Sequence, residues 1–173
     1  MSTWNDYQQI RQLGSGAFGV VHLAKCTNPN SDFYDELVAV KMVPLQAITE
    51  SEAKLAMSEV AILRNLNHPC ILRFLDCFID ADSQLCCVTE FVDGGDLSVL
   101  IRNSKDKGSF IDNFVVVDIG RQMLEGLGYL HTNKVLHRDI KPANIYLTSA
   151  GGVKIGDFGV SKLLTESIVN TGT

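Results

Sequence analysis

Asp139, Lys141 and Asn144 fall within six consecutive residues, between the apolar pair Val135-Leu136 and the run Ile145-Tyr146-Leu147. Asp139 is a candidate base for a hydroxyl proton. Lys141 is placed to meet negative charge arriving at that hydroxyl. Asn144 offers a carbonyl oxygen, a hard ligand suited to magnesium. Thirteen residues after Asn144 a second acid, Asp157, stands in Gly156-Asp157-Phe158-Gly159. An acid and an amide on neighbouring turns suit a two-point magnesium site, and magnesium is commonly shared with substrate phosphates.

Upstream segments hold residues that complete such a chemistry. Tyr7 to Leu13 alternates roughly polar and apolar, as an exposed strand does. Gly14-Ser15-Gly16-Ala17-Phe18-Gly19 follows, and then Val20 to Ala24 reads as a second strand. Glycines let backbone amides approach phosphates closely. No helical pattern follows them, which disfavours a dinucleotide-binding turn, so a glycine hairpin is expected. Leu37 to Val43 reads as a buried strand carrying one charge, Lys41. A buried lysine needs a partner, unless it lies on an edge strand and snorkels to water. Thr49 and Glu52 have the spacing of a capping box. After them Ala56, Val60, Leu63 and Asn67 recur at helical spacing, with Glu59 alongside, until His68-Pro69 ends the helix. Ile71 to Phe74 and Leu85 to Thr89 read as two more strands, which gives a five-stranded antiparallel sheet with one helix. Asp96 is placed to cap a short helix. A longer one is expected from about Asp112 to His131, with Val116, Gly120, Met123, Leu127 and Leu130 on one face. Phe114, Val115, Ile119 and Leu124 widen that face, a breadth that suggests burial on more than one side.

Composition excludes several classes. The chain has 173 residues and a net charge of −5. Mild acidity argues against non-specific nucleic-acid binding, which needs a basic face. No apolar run approaches the ~20 residues that span a bilayer. The first residues show no signal peptide, and Ser2 stands where myristoylation needs glycine. The five cysteines form no C-x-x-C pair, which suggests reduced thiols serving as small apolar residues rather than a metal site.

His137-Arg138-Asp139 with Asn144, followed by Asp157-Phe158-Gly159, resembles the catalytic and metal-binding signature of eukaryotic protein kinases. Ile140-Lys141-Pro142-Ala143-Asn144 is similar to the serine/threonine type, and His137–Leu147 and Gly156–Leu163 are most similar to NIMA-related (Nek) kinases. The resemblance implies an α+β, two-lobed fold: an N-lobe and hinge over residues 1–92, and an incomplete helical C-lobe over 93–173 that stops inside the activation segment. It implies ATP and Mg2+ as cofactors. Leu13, Gly14, Ser15, Gly16, Ala17, Phe18 and Gly19 match the phosphate lid. Val21, Ala39 and Tyr146 match the walls around adenine, Thr89 the gatekeeper, and Glu90 and Val92 the hinge. Lys41, paired with Glu59, matches the lysine on the alpha and beta phosphates. Asn144 and Asp157 match the magnesium ligands; Asp139 matches the catalytic base, with Lys141 beside it. His137 matches a structural histidine packing on Phe158, and Leu63, Phe74, His137 and Phe158 a stacked spine. Ser167 or Thr171 is the expected activating phosphosite, since Val169 stands where many kinases carry the modified hydroxyl. The implied partner is a protein with serine or threonine hydroxyls, in a cytoplasmic setting that for this family extends to cytoskeleton and nucleus.

Two other classes compete with this expectation. A P-loop NTPase lacks its G-x-x-x-x-G-K-[ST] here. A nucleotide-binding or partner-binding fragment without turnover is favoured by the early C-terminus, and the intact motif set favours the enzyme.

Overall fold

The structure, a computed structural model, describes residues 2–16, 19–44 and 63–157. They form two compact units. The first comprises the described residues up to Leu66 together with Arg73–Phe91; the second comprises Asn67–Leu72 and the described residues from Val92 onward.

The first unit is a five-stranded antiparallel sheet: β1 (Tyr7–Gly16), β2 (Gly19–Cys26), β3 (Leu37–Pro44), β4 (Phe74–Ile79) and β5 (Gln84–Glu90), in the order β1-β2-β3-β5-β4. Alternation of side chains sorts each strand onto two faces. One face carries the core Tyr7, Ala24, Cys26, Val38, Val40, Phe78, Cys86 and Val88. Tyr7 stacks on Phe78 at 5.6 Å between ring centroids and on Phe33 at 6.5 Å. Asp76 is buried at the margin of this face. A buried carboxylate is costly unless it is paired. Asp76 is paired with Arg64, accepts from the Tyr7 hydroxyl at 3.2 Å and accepts from the Cys77 N–H at 2.8 Å.

The second unit holds α1 (Leu97–Asp106), α2 (Asn113–Thr132), a 3-10 turn at Pro142–Asn144, and the short hairpin β6 (Ile145–Leu147) and β7 (Val153–Ile155). Asp96 caps α1 by accepting from Val99 N–H, and Asp112 caps α2 by accepting from Phe114 N–H at 2.7 Å. Each satisfies an amide that a helix start leaves without an internal partner. Leu130, Ile71, Ile145, Val153 and Ile155 are almost fully buried. Among the described residues no helix is long and apolar enough to cross a membrane.

Lys41 lies on an interior strand, as expected of a buried one, because β3 lies between β2 and β5; the edge-strand alternative fails. Two expectations need correction. The strand expected at Ile71–Phe74 begins only at Phe74. Ile71 and Leu72 belong to the second unit, where they flank β7: Leu72 N–H donates to Ile155 O and Ile155 N–H to Cys70 O, both at 2.8 Å. An apolar run alone does not say which backbone it will pair with. On α2 the buried positions are Ile119, Gly126 and Leu130, while Val116 is 52% exposed and Phe114 87% exposed. The buried stripe is rotated from the expected one, and Ile119 lies within it rather than at its flank. The expected helix up to Ile62 lies outside the described residues; Leu63 and Arg64 are helical and the chain leaves the helix before His68-Pro69.

Candidate active site

The first unit carries one half of the expected site residues on a single face. Cross-strand partners share a face. The register aligns Gly14 with Val21, Val21 with Lys41, and Lys41 with Cys87; the neighbouring row aligns Leu23, Ala39, Thr89 and Phe74. Val21, Ala39, Lys41 and Thr89 therefore lie on the face opposite the Tyr7 core, and all four are half-buried. The glycine hairpin closes between Gly16 and Gly19, and Leu13 sits at an irregularity of the β1–β2 ladder. The glycines differ in what demands them. Gly19 has φ +119°, and a Cβ there would fall 1.9 Å from the Met42 carbonyl oxygen. It is required by the approach of β2 to β3. A Cβ on Gly14 would meet nothing within 4 Å. Ser15 is exposed, and Glu90 accepts from Arg73 N–H at 2.8 Å. Ala17, Phe18 and Glu59 lie outside the described residues, and so does the Lys41–Glu59 pairing.

The second unit assembles the acid, the cation and the amide. Pro142 opens the 3-10 turn, where its missing N–H is not needed. The turn carries Asn144 into a buried position, from which its Nδ2 donates to the Asp139 carbonyl at 2.8 Å and to the Asp139 Oδ2 at 3.0 Å. Lys141 Nζ pairs with the same Oδ2 at 2.7 Å. With Nδ2 committed to Asp139, the Asn144 side chain has its carbonyl oxygen to offer a hard cation.

The β6–β7 hairpin closes the gap of thirteen residues. Ile145 is the partner of Ile155, and Gly156 N–H donates to Asn144 O at 3.0 Å. Asn144 and Asp157 are thereby delivered to the same end of one ladder. Asp157 is exposed and has φ +55°; Arg138 has φ +64°. Non-glycine residues in the left-handed region are uncommon and cluster at functional sites. Among the described residues no three His, Cys, Asp or Glu gather as a protein metal cage. An amide and an acid together suit a magnesium ion that keeps phosphate and water oxygens.

His137 is structural by its bonds. It is 5% exposed. Its Nδ1 accepts from Asp139 N–H at 3.3 Å, so the proton sits on Nε2, which donates to Gly156 O at 2.7 Å. Burial holds its pKa below the ordinary histidine value, opposed by the Gly156 bond and by Asp139 and Asp157. A neutral ring with both nitrogens engaged is a strut between the Asp139 loop and the Asp157 loop. The expected packing on Phe158 lies outside the described residues. Tyr146 is half-buried; burial pushes its phenol well above the ordinary value, with Asp157 and Asp96 adding to the effect. Val92 is half-buried, at the start of the segment whose Gly94 N–H bonds Leu147 O at 2.9 Å.

A family model described as the protein kinase domain matches residues 7–173. The chain belongs to the protein kinase domain family. MAP3K epsilon protein kinase 1 of Brassica napus is 40% identical over 167 residues, which is 96% of this chain and 12% of that protein. The probable serine/threonine-protein kinase nek2 of Dictyostelium discoideum is 35% identical over 95% of this chain and 39% of its own length. Serine/threonine-protein kinase nekl-2 of Caenorhabditis elegans is 35% identical over 96% of the chain and 48% of its own. The chain thus spans less than half the length of these relatives. The latter two are named as serine/threonine-protein kinases, and the fold is the α+β kinase fold with its five-stranded sheet.

Within this kinase domain, sequence reasoning missed the Gly156 carbonyl as the anchor of His137. A backbone acceptor has no residue-type signal. It also missed Asp96 as an acid near Tyr146; there the only signal was a helix cap.

Proposed function

We propose that this domain transfers the gamma-phosphoryl group of ATP to serine or threonine hydroxyls of a protein substrate. The observation that carries the reading is the clasp on Asp139, whose Oδ2 meets Lys141 Nζ at 2.7 Å and Asn144 Nδ2 at 3.0 Å. The carboxylate is held and oriented, as a group that fixes and deprotonates a hydroxyl must be. Lys141 supports charge on the incoming oxygen. Asn144 and Asp157 would hold Mg2+, which when bound offsets charge on phosphate oxygens. Lys41 would bind the alpha and beta phosphates. The Gly14–Gly19 hairpin would cover them, with Val21, Ala39, Thr89, Glu90, Val92 and Tyr146 around the base. Positioning and charge stabilisation then supply most of the rate enhancement. The Lys41–Glu59 pair and phosphorylation at Ser167 or Thr171 belong to the same proposal.

A phosphoryl-transfer assay with labelled ATP tests it, on this chain, on one extended downstream, and on the Asp139→Asn variant of the extended form. Label on serine or threonine of a protein acceptor, lost in the variant, is expected from the extended chain. Mg-ATP binding with no transfer by either chain would favour a nucleotide-binding module instead.

A further inference from the structure

Three cysteines crowd the β4–β5 hairpin, and the ladder decides which of them meet. Cys77 and Cys87 are direct partners across the two strands. Asp80 N–H donates to Gln84 O at 3.0 Å, which marks that pair as hydrogen-bonded. Bonded and non-bonded pairs alternate along an antiparallel ladder. Ile79–Leu85 is therefore non-bonded, Phe78–Cys86 bonded, and Cys77–Cys87 non-bonded. Non-bonded partners hold their Cα atoms about 4.5 Å apart with side chains close together. Disulfides span Cα separations of about 4.4–6.8 Å. Cys86, though adjacent in sequence to Cys87, points the other way into the Tyr7–Phe78 core.

Both thiols are reduced in this structure. Cys77 is half-buried and hydrogen-bonded to Cys87; that bond, with burial, pushes the Cys77 thiol far up. Cys87 is buried, and its partner on the other side is Lys41 of β3. The geometry points to Cys77 and Cys87 as a thiol pair that closes reversibly into a cross-strand disulfide under peroxide, on the Lys41 face of the sheet. One sulfur, as thiolate, attacks a peroxide oxygen; the O–O bond breaks, and sulfenic acid and water form. The second sulfur displaces water from the first. Two thiols and one hydrogen peroxide give one disulfide and two waters. The bond does not depend on the phosphoryl-transfer reading.

The test uses the folded chain exposed to stepped hydrogen peroxide, with remaining thiols blocked by N-ethylmaleimide in acid denaturant. A protease cutting before aspartate separates Cys77 from Cys87, because Asp80 and Asp82 lie between them. The expected product is a Cys77 peptide joined to the Cys86-Cys87 peptide. It should be released by dithiothreitol, retained in Cys86→Ser and absent in Cys87→Ser. Wild-type protein alone keeps the test decisive if a variant misfolds, because fragmentation of the joined peptide reports which sulfur is linked. Linkage through Cys86, or oxidation of Cys77 to sulfinic acid without a link, would overturn the inference. So would complete blocking of both thiols at peroxide levels that oxidise the other cysteines.

Discussion

Asp139 and Asp157 are both acids on loops, yet their surroundings differ. Asp139 is clasped by Lys141 and Asn144, whereas Asp157 is exposed at a strained backbone position. Residue types made both acids candidates, and the resemblance to the kinase signature is what implied a different role for each. The bonds that tie these loops together were not legible where they end on the backbone atoms of Asp139, Gly156 and Asn144. If Asp157 is the metal ligand and Lys41 the phosphate ligand, their loss acts at different steps. Asp157→Ala should remove the magnesium dependence of nucleotide binding. Lys41→Met in an extended, active chain should lower turnover by about 100-fold or more, as loss of a charge-stabilising group does. Nucleotide titrations with and without magnesium, beside steady-state assays, check both; unchanged magnesium dependence in the Asp157 variant counts against its role. His137 gives a pH signature. Its folded pKa is lowered below the unfolded value of 6.5, so the unfolded chain binds the proton first. Its contribution is fully present above pH 6.5 and is lost as pH falls toward the lowered folded pKa. Urea denaturation at pH 7.5 and 5.5 should show a smaller acid loss in His137→Gln than in the parent. Equal losses in the two proteins would place the titration elsewhere.

Helix α2 shows what periodicity reveals about an element and what it does not. The helix, its Asp112 cap and its breadth of apolar residues were all readable, because capping and spacing are local. Which part of that breadth faces inward depends on neighbours far away in sequence. Gly126 decides it: a Cβ there would sit 3.0 Å from Ile155 Cδ1 and 3.1 Å from Cys70 O. The helix passes closest to β7 and to the Cys70 backbone at that point. A Cβ on Gly120 or Gly128 would meet nothing within 4 Å. Glycine in a helix interior is worse than alanine by up to about 1 kcal/mol. Gly120→Ala and Gly128→Ala should therefore each stabilise this chain by about 0.5–1 kcal/mol. Gly126→Ala should destabilise it, because the Cys70 carbonyl belongs to a backbone already fixed by Ile155 N–H. Denaturant midpoints of the three variants test the sign. Stabilisation by Gly126→Ala would mean that the helix sits further from β7 than described.

At the scale of the whole chain, the sheet was the most legible feature, because its strands alternate, turn and pair mostly in sequence order. The exception, Ile71-Leu72, leaves the run it seemed to start and flanks β7. Local pattern assigns a run to a class of structure, and long-range backbone pairing assigns it to a body. Phe114, Val117 and Leu124 are 87%, 70% and 72% exposed, and burying such side chains is worth roughly 1.5–3 kcal/mol each. The outer side of α2 thus contributes little. The inner side does contribute: Leu130 is fully buried, and Ile71, Ile145, Val153 and Ile155 are at most 1% exposed. Removing a large aliphatic side chain from such a site costs about 2–5 kcal/mol, so this group holds the second unit together. Hydrogen exchange should accordingly find the slowest amides in β3 and β5, which are bonded on both sides. A second slow set should appear at the C-terminal half of α2 and in β7, with the first turn of α2 and the 136–141 loop fast. Leu130→Ala should collapse the second set while leaving β3 and β5 protected. Equal loss of protection in β3 and β5 would show that the sheet depends on the Leu130 core, and uniform fast exchange from Asp112 onward in the parent would show that this core does not form.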